Sequence, residues 1–144
     1  MIELWPATVE DLPIVLDSWC KSMRLRRRTT SAGSFVELGR SRGLAPHIWA
    51  RALTGVVEGL ARESAIAVAC HPSHREVVIG WIAFEADTET TTVHYVWVRS
   101  EFRRQGVGRM LLEAVRHAGA GDAMRATFIS EAGQRLLEGK RADG

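Results

Sequence analysis

A chain of 144 residues has the length of one domain, and a globule of that size buries roughly 70% of the surface its unfolded chain exposes. Hydrophobic residues make up 46% and charged residues 25%, and no apolar run approaches the ~18 residues that span a bilayer, which argues against an integral membrane protein. The formal net charge of +2 is modest, and the positive charge is gathered at residues 24–28 and 99–109.

Residues 2–5 read as a short strand. The opening Met1-Ile2-Glu3-Leu4-Trp5-Pro6 lacks the basic start, apolar stretch and cleavage site of a secretory signal, so a cytoplasmic location is expected. Thr8-Val9-Glu10-Asp11 forms a capping-box-like start to a helix in which Leu12, Val15, Leu16, Trp19 and Met23 recur at helical spacing. Pro13 fits only in the first turn, which makes Asp11 the alternative cap. Residues 26–43 dissolve into Arg, Thr, Ser and Gly, a long connection suited to surface function. A second helix is expected over residues 46–61, where Trp49, Ala52, Leu53, Val56, Val57 and Leu60 form one apolar stripe that Gly55 and Gly59 weaken.

Three strands follow at residues 65–70, 77–84 and 91–98, separated by His71-Pro72-Ser73-His74 and by polar residues 85–89, and short connections of this kind make an antiparallel meander. Val107, Met110, Leu111, Ala114, Val115 and Ala118 mark a helix that ends at Gly119 and Gly121. Residues 124–129 read as a further strand and 131–138 as a short last helix. The order β-α-α-β-β-β-α-β-α, without repeats or linkers, describes one mixed α/β domain over residues 1–144. Cys20 and Cys70 lack metal or redox spacing, so they read as reduced structural thiols.

The chemistry-bearing segment is Val96-Trp97-Val98-Arg99-Ser100-Glu101-Phe102-Arg103-Arg104-Gln105-Gly106-Val107-Gly108-Arg109, which passes from strand through loop to helix. Backbone N–H groups at a helix start have no intrahelical partners, and with the helix dipole they favour a pyrophosphate. Gly106 and Gly108 let the backbone approach such a group closely, while Arg103, Arg104 and Arg109 add positive charge around it. A glycine pair beside arginines is by itself also a plain turn and helix start. A dinucleotide-binding loop would follow the first strand of a parallel βαβ unit, whereas this loop follows a meander late in the chain.

This segment resembles the acetyl-CoA signature of the GNAT family, Q/R-x-x-G-x-G/A, preceded by the family's apolar strand and short polar bridge. Pro6-Ala7-Thr8-Val9-Glu10-Asp11-Leu12 resembles the common opening of these proteins, and Ile79-Gly80-Trp81-Ile82 resembles the strand before the cofactor strand, so the likeness covers residues 1–130. Through Gly80-Trp81-Ile82 and Val93-His94-Tyr95-Val96-Trp97-Val98 the chain is also similar to small acetyltransferases encoded by tailed bacteriophages. The resemblance implies the acyl-CoA N-acyltransferase fold, shortened at its C-terminus, and an N-acetyltransferase that uses acetyl-CoA and requires no metal. It further implies that the amides of Gln105, Gly106, Val107, Gly108 and Arg109 hold the pyrophosphate beside Arg103 and Arg104. Val96, Trp97 and Val98 would partner the pantetheine arm where their strand splays from residues 124–129, with the amide of Val98, or one close to it, stabilising the oxyanion.

Direct attack on the thioester needs an uncharged amine, hence a base. His94 is the leading candidate: it lies four residues before Val98, arylalkylamine acetyltransferases are similar in carrying a histidine at the matching place, and a histidine's unperturbed pKa of about 6.5 suits the task. The alternative is a strand histidine satisfied by a neighbouring carbonyl. Glu85, at the end of the preceding strand, is the second candidate, ahead of Asp87 and Glu89, and His71, His74 and His117 are expected at the surface. The family's tyrosine acid is missing from Glu131-Ala132-Gly133-Gln134-Arg135-Leu136-Leu137. Tyr95 is the one tyrosine, and strict alternation puts it on the face opposite His94 unless a bulge re-aims one of them.

The early ending leaves the acceptor pocket to be completed by a partner subunit, as in a homodimer, or open toward a large acceptor. Met23-Arg24-Leu25-Arg26-Arg27-Arg28, on the acceptor side in similar proteins, reads either as a solvated basic face or as an attractor for an anionic substrate or nucleic acid. Trp49, Trp81 and Trp97 fall within apolar patterns, which favours packing over base stacking. Transfer of acetyl to an amine therefore leads over two alternatives, transfer to a nucleic acid or modified base and CoA binding without turnover.

Overall fold

A computed structural model describes residues 1–25, 46–87, 89–118 and 123–126. Strand β1 (Glu3–Pro6) enters a 3-10 turn (Val9–Asp11) and helix α1 (Leu12–Leu25). Helix α2 (Pro46–Glu63), strands β2 (Ala65–His71), β3 (His74–Ala86) and β4 (Thr90–Val98), a second 3-10 turn (Ser100–Phe102), helix α3 (Val107–Ala118) and strand β5 (Ala123–Ala126) follow. The five strands form one sheet in the order β1-β2-β3-β4-β5, antiparallel from β1 to β4, with β5 parallel to β4. This is the mixed α/β fold and the meander read from the sequence. Residues 26–43, Gly119, Gly121, residues 127–129 and the last expected helix at 131–138 lie outside the described residues, as do the side chains of Arg24 and Trp49. Among the described residues, no helix is long and apolar enough to cross a membrane.

Each face of the sheet is covered by helix. On one face Val15, Trp19 and Met23 of α1 and Leu53 and Val57 of α2 pack on Val68, Trp81, Ala83 and Tyr95. On the other, Val107, Leu111, Leu112 and Val115 of α3 pack on Ala69, Ile79, Ile82 and Val93. A fully buried aliphatic side chain contributes about 1.5–3 kcal/mol, so α3 is held chiefly by this stripe. The stripes are narrower than the sequence pattern, because a helix lying on a sheet buries only the side chains that meet it. Ala52, Val56 and Met110 are exposed.

The helix start follows the capping-box reading rather than its alternative. Thr8, not Asp11, is the cap, and the Asp11 carboxylate accepts the Thr8 backbone N–H at 2.8 Å and the Thr8 hydroxyl at 3.1 Å. Pro13 then falls in the first turn of α1, where its missing N–H costs little. Asp11 is almost fully buried and accepts two bonds from the Arg75 guanidinium, at 3.2 and 2.9 Å. This pair ties the β2–β3 hairpin to the start of α1.

Candidate active site

The end of β4 is anchored before the loop begins. The Arg99 backbone N–H donates to the Ile79 carbonyl at 2.7 Å, and its side-chain Nε donates to the Val78 carbonyl at 3.0 Å. Because an antiparallel ladder alternates residues that bond across the pair with residues that do not, the Arg99 bond settles the direction of its neighbours. Gly80 lies opposite Val98, Trp81 opposite Trp97 and Ile82 opposite Val96. The main-chain groups of Trp97 therefore serve β3, while those of Val96 and Val98 point to the other edge, the side on which β5 pairs with Thr90 to Val93. The Val98 carbonyl confirms that direction by accepting Arg103 Nε at 3.0 Å. Of the three residues expected to meet a pantetheine arm, two turn their polar groups to that edge and Trp97 does not.

From Arg99 the chain makes a 3-10 turn, with the Phe102 N–H bonded to the Arg99 carbonyl at 2.8 Å. Two residues with positive φ follow, Arg104 at 65° and Gly106 at 83°. Left-handed residues interspersed in a turn gather successive N–H groups on one concave side, an arrangement suited to anions. The α3 ladder begins when the Met110 N–H donates to the Gly106 carbonyl at 3.0 Å, so the amides of Val107 and Gly108 precede it. Arg103 and Arg104 are exposed beside this turn and Arg109 is half-buried. These residues form a cradle whose amides and guanidinium groups match a diphosphate in charge and in hydrogen-bonding type.

The sequence reading missed what seats α3. Gly80 lies opposite Val98, and a β-carbon built on it would stand 2.8 Å from the Trp97 carbonyl oxygen, 3.3 Å from Val107 and 3.5 Å from Leu111. Absence of a side chain there lets the first turns of α3 settle on the sheet next to the β4 edge. The signal in the sequence was a glycine inside a strand pattern, which marks a close backbone approach.

The two candidate bases come together. In the β3–β4 ladder Ala83 pairs with Tyr95 but Phe84 pairs with Val93, one step on β3 against two on β4, so His94 is the extra residue of a bulge. Val93 joins the core under α3 and Tyr95 joins the core under α1 and α2, so the strand's alternation switches across His94. His94 Nε2 lies 2.5 Å from Glu85 Oε2, and Glu85 shares the β3 face of Ala83 and Trp81, both packed under α1 and α2. The bulge thus turns His94 to the side of Tyr95, in place of the opposite faces that strict alternation predicts. His94 keeps 6% of its side-chain surface exposed and Glu85 keeps 42%. The hairpin that brings the two strands together is closed by Asp87, whose carboxylate accepts the amides of Glu89 at 2.8 Å and Thr90 at 2.6 Å. Those amides, Thr90 first, hold the Asp87 carboxyl below its ordinary range. His71, His74 and His117 are exposed, as expected. Among the described residues no group of three His, Cys, Asp or Glu side chains is placed to hold a metal ion.

Comparison with protein families matches residues 47–139 to the acetyltransferase (GNAT) domain. Comparison with curated proteins finds no match. Among solved structures the chain is similar to apo-form YjaB from Escherichia coli, with a TM-score of 0.54 and 17% identity over 83% of this chain and 67% of that one. It is similar as well to a ribosomal-protein-alanine N-acetyltransferase from Brucella melitensis, with a TM-score of 0.53 and 12% identity over 88% of this chain and 79% of that one. A probable acetyltransferase aligns with a TM-score of 0.53 and 18% identity over 95% of this chain and 87% of that one. At these identities the structural likenesses bear on the fold.

Proposed function

The chain belongs to the GNAT acetyltransferase family, whose cosubstrate is acetyl-CoA, and from that premise we propose that it transfers acetyl directly to a primary amine in a ternary complex. The observation that carries the finer reading is the His94–Glu85 pair, set by a β-bulge on the same strand whose Val96 and Val98 groups face the β5 edge. A proton acceptor beside a row of main-chain donors is what amide formation from a thioester requires.

In this reading the turn from Gln105 to Arg109 binds the pyrophosphate, with the Arg103 and Arg104 guanidinium groups as counter-charges beside it. The Val96 and Val98 edge receives the pantetheine arm, and the Val98 amide meets the oxygen on which charge develops as the amine attacks. Preorganised donors of this kind are worth about 2.7–4 kcal/mol each at the transition state. Before attack the acceptor nitrogen has to lose a proton, and the His94–Glu85 pair supplies the base. A cytoplasmic location fits two cysteines that are both buried thiols.

The test is calorimetric titration of acetyl-CoA into the protein, followed by measurement of CoA thiol release with alkylamines, peptide α-amines and matched alcohols. Saturable binding with amine-dependent release is the expected result. Binding without release from any amine would overturn the transfer reading, and absence of binding by the folded chain would overturn the cofactor site as well.

A further inference from the structure

We propose that Glu85 is the group that touches the acceptor amine and that His94 is a positioning residue behind it, which reverses the order in which the sequence alone ranks the two. The inference rests on the acetyl-transfer reading and assigns roles within that site.

Access decides between them first. A base has to come within about 2.6–3.2 Å of the proton it takes, or reach it through one water. The Glu85 side chain is 42% exposed, whereas His94 is 6% exposed with Nε2 already committed to Glu85 at 2.5 Å. In this assignment Glu85 is the acceptor and His94 Nε2 the donor of their shared hydrogen bond. A carboxylate offers about four lone-pair sites, and one bond from His94 leaves others for an ammonium group arriving from solvent.

The backbone explains why a histidine is there. His94 is the extra residue between the Ala83–Tyr95 and Phe84–Val93 pairs, so its direction is set by the bulge rather than by the alternation of a regular strand. A glutamate at the next-to-last position of β3 would otherwise sample several rotamers, and ordering such a side chain costs up to about 1.5–2 kcal/mol. The bond from a buried imidazole holds Glu85 in one of them. Asp87, the nearest other carboxylate in sequence, is occupied by the amides of Thr90 and Glu89 and closes the hairpin instead.

The proton account balances. Glu85 takes one proton from the ammonium, and the freed electron pair on nitrogen forms the C–N bond to the acetyl carbon. The C–S bond breaks with its pair on sulfur. The second nitrogen proton is lost as the amide forms, the thiolate gains one proton to become the CoA thiol, and Glu85 returns the other to water. The imidazole keeps its Nε2 hydrogen throughout.

The test compares Glu85→Gln, His94→Ala and His94→Gln, where the glutamine amide can donate as Nε2–H does but cannot act as a base. Expected are a loss of kcat of about 10²–10⁴-fold for Glu85→Gln, a smaller loss for His94→Ala, and recovery to within about fivefold of the starting enzyme for His94→Gln. The double variant Glu85→Gln/His94→Ala is expected to match Glu85→Gln, as it must if His94 acts through Glu85. Acetyl-CoA titration of each variant separates these effects from cofactor binding, and thermal melts report folding. If His94→Gln is as slow as His94→Ala while Glu85→Gln stays active, His94 is the base and the assignment is wrong. A starting enzyme that transfers to no amine overturns the assignment together with the acetyl-transfer reading, an outcome distinct from any pattern among the variants.

Discussion

Gly80 and Trp97 approach so closely across the β3–β4 ladder that a β-carbon on Gly80 would stand 2.8 Å from the Trp97 carbonyl oxygen. That oxygen is backbone, so it cannot swing aside as a side-chain tip would. The same glycine faces Val107 and Leu111 of α3 and lies opposite Val98 in the ladder. One position in β3 therefore sets both how near α3 comes to the sheet and how the end of β4 is carried. These two features flank the turn proposed to hold the diphosphate.

Replacement of Gly80 by alanine is expected to cost about 1–3 kcal/mol, the usual penalty for overpacking a well-filled core. In a chain of this length that lowers Tm by roughly 3–10 °C. Because relief requires β4 or the start of α3 to move, acetyl-CoA affinity is expected to fall along with it. Thermal melts paired with calorimetry check both effects, and an unchanged Tm would show that the sheet has slack at this point.

The Asp11–Arg75 pair makes stability depend on pH. Burial pushes the Asp11 carboxyl up, but the Arg75 guanidinium and the Thr8 amide together pull it further down, so it stays below the ordinary aspartate value. The unfolded chain therefore takes up this proton more readily than the folded one. The pair's contribution is full above about pH 3.9, the unfolded value, and is lost as pH falls through the lower folded value. Arg75→Ala is expected to lower stability by about 1–2 kcal/mol at neutral pH, since it leaves a buried carboxylate short of a partner while Arg75 itself is partly exposed. Urea unfolding at pH 7 and again near pH 3 checks the linkage. The gap between variant and parent is expected to narrow in acid, and a constant gap would sever Asp11 from the acid limb.

Much of the architecture was legible because periodicity maps directly onto burial. Val107, Leu111 and Val115 of the expected stripe are buried as the 3.6-residue repeat requires, and the meander follows from runs separated by short turns. The turn before α3 was legible as a strand-to-loop-to-helix junction for a local reason, its residues being contiguous. The contact between His94 and Glu85 was not. Val93 and Tyr95 are two residues apart yet pack on opposite faces, a reversal that period-2 reasoning cannot produce without an inserted residue. His94 and Glu85 were therefore each found as a candidate while their contact was missed. Asp11 and Arg75 lie 64 positions apart, and only the folded hairpin brings them together. Met110, Val56 and Ala52 were placed in apolar stripes that proved wider than the surface available to cover them.

Gly106 permits a test that separates the shape of the cradle from the stability of the fold. Its φ of 83° lies in the left-handed region, yet a β-carbon built on it meets nothing within 4 Å. The cost of Gly106→Ala is thus backbone strain alone, about 1–2 kcal/mol. The turn can shed that strain by re-aiming the amides around Val107 and Gly108, the groups assigned to the diphosphate. A modest fall in Tm is expected, together with a loss of acetyl-CoA affinity of at least about tenfold, equivalent to ~1.4 kcal/mol. Asparagine tolerates left-handed backbone better than alanine does, so Gly106→Asn is expected to retain more affinity than Gly106→Ala. Calorimetry on the two variants gives that ranking directly. Equal and undiminished affinity in both would mean that the diphosphate is held by the Arg103 and Arg104 charges rather than by the shape of the turn.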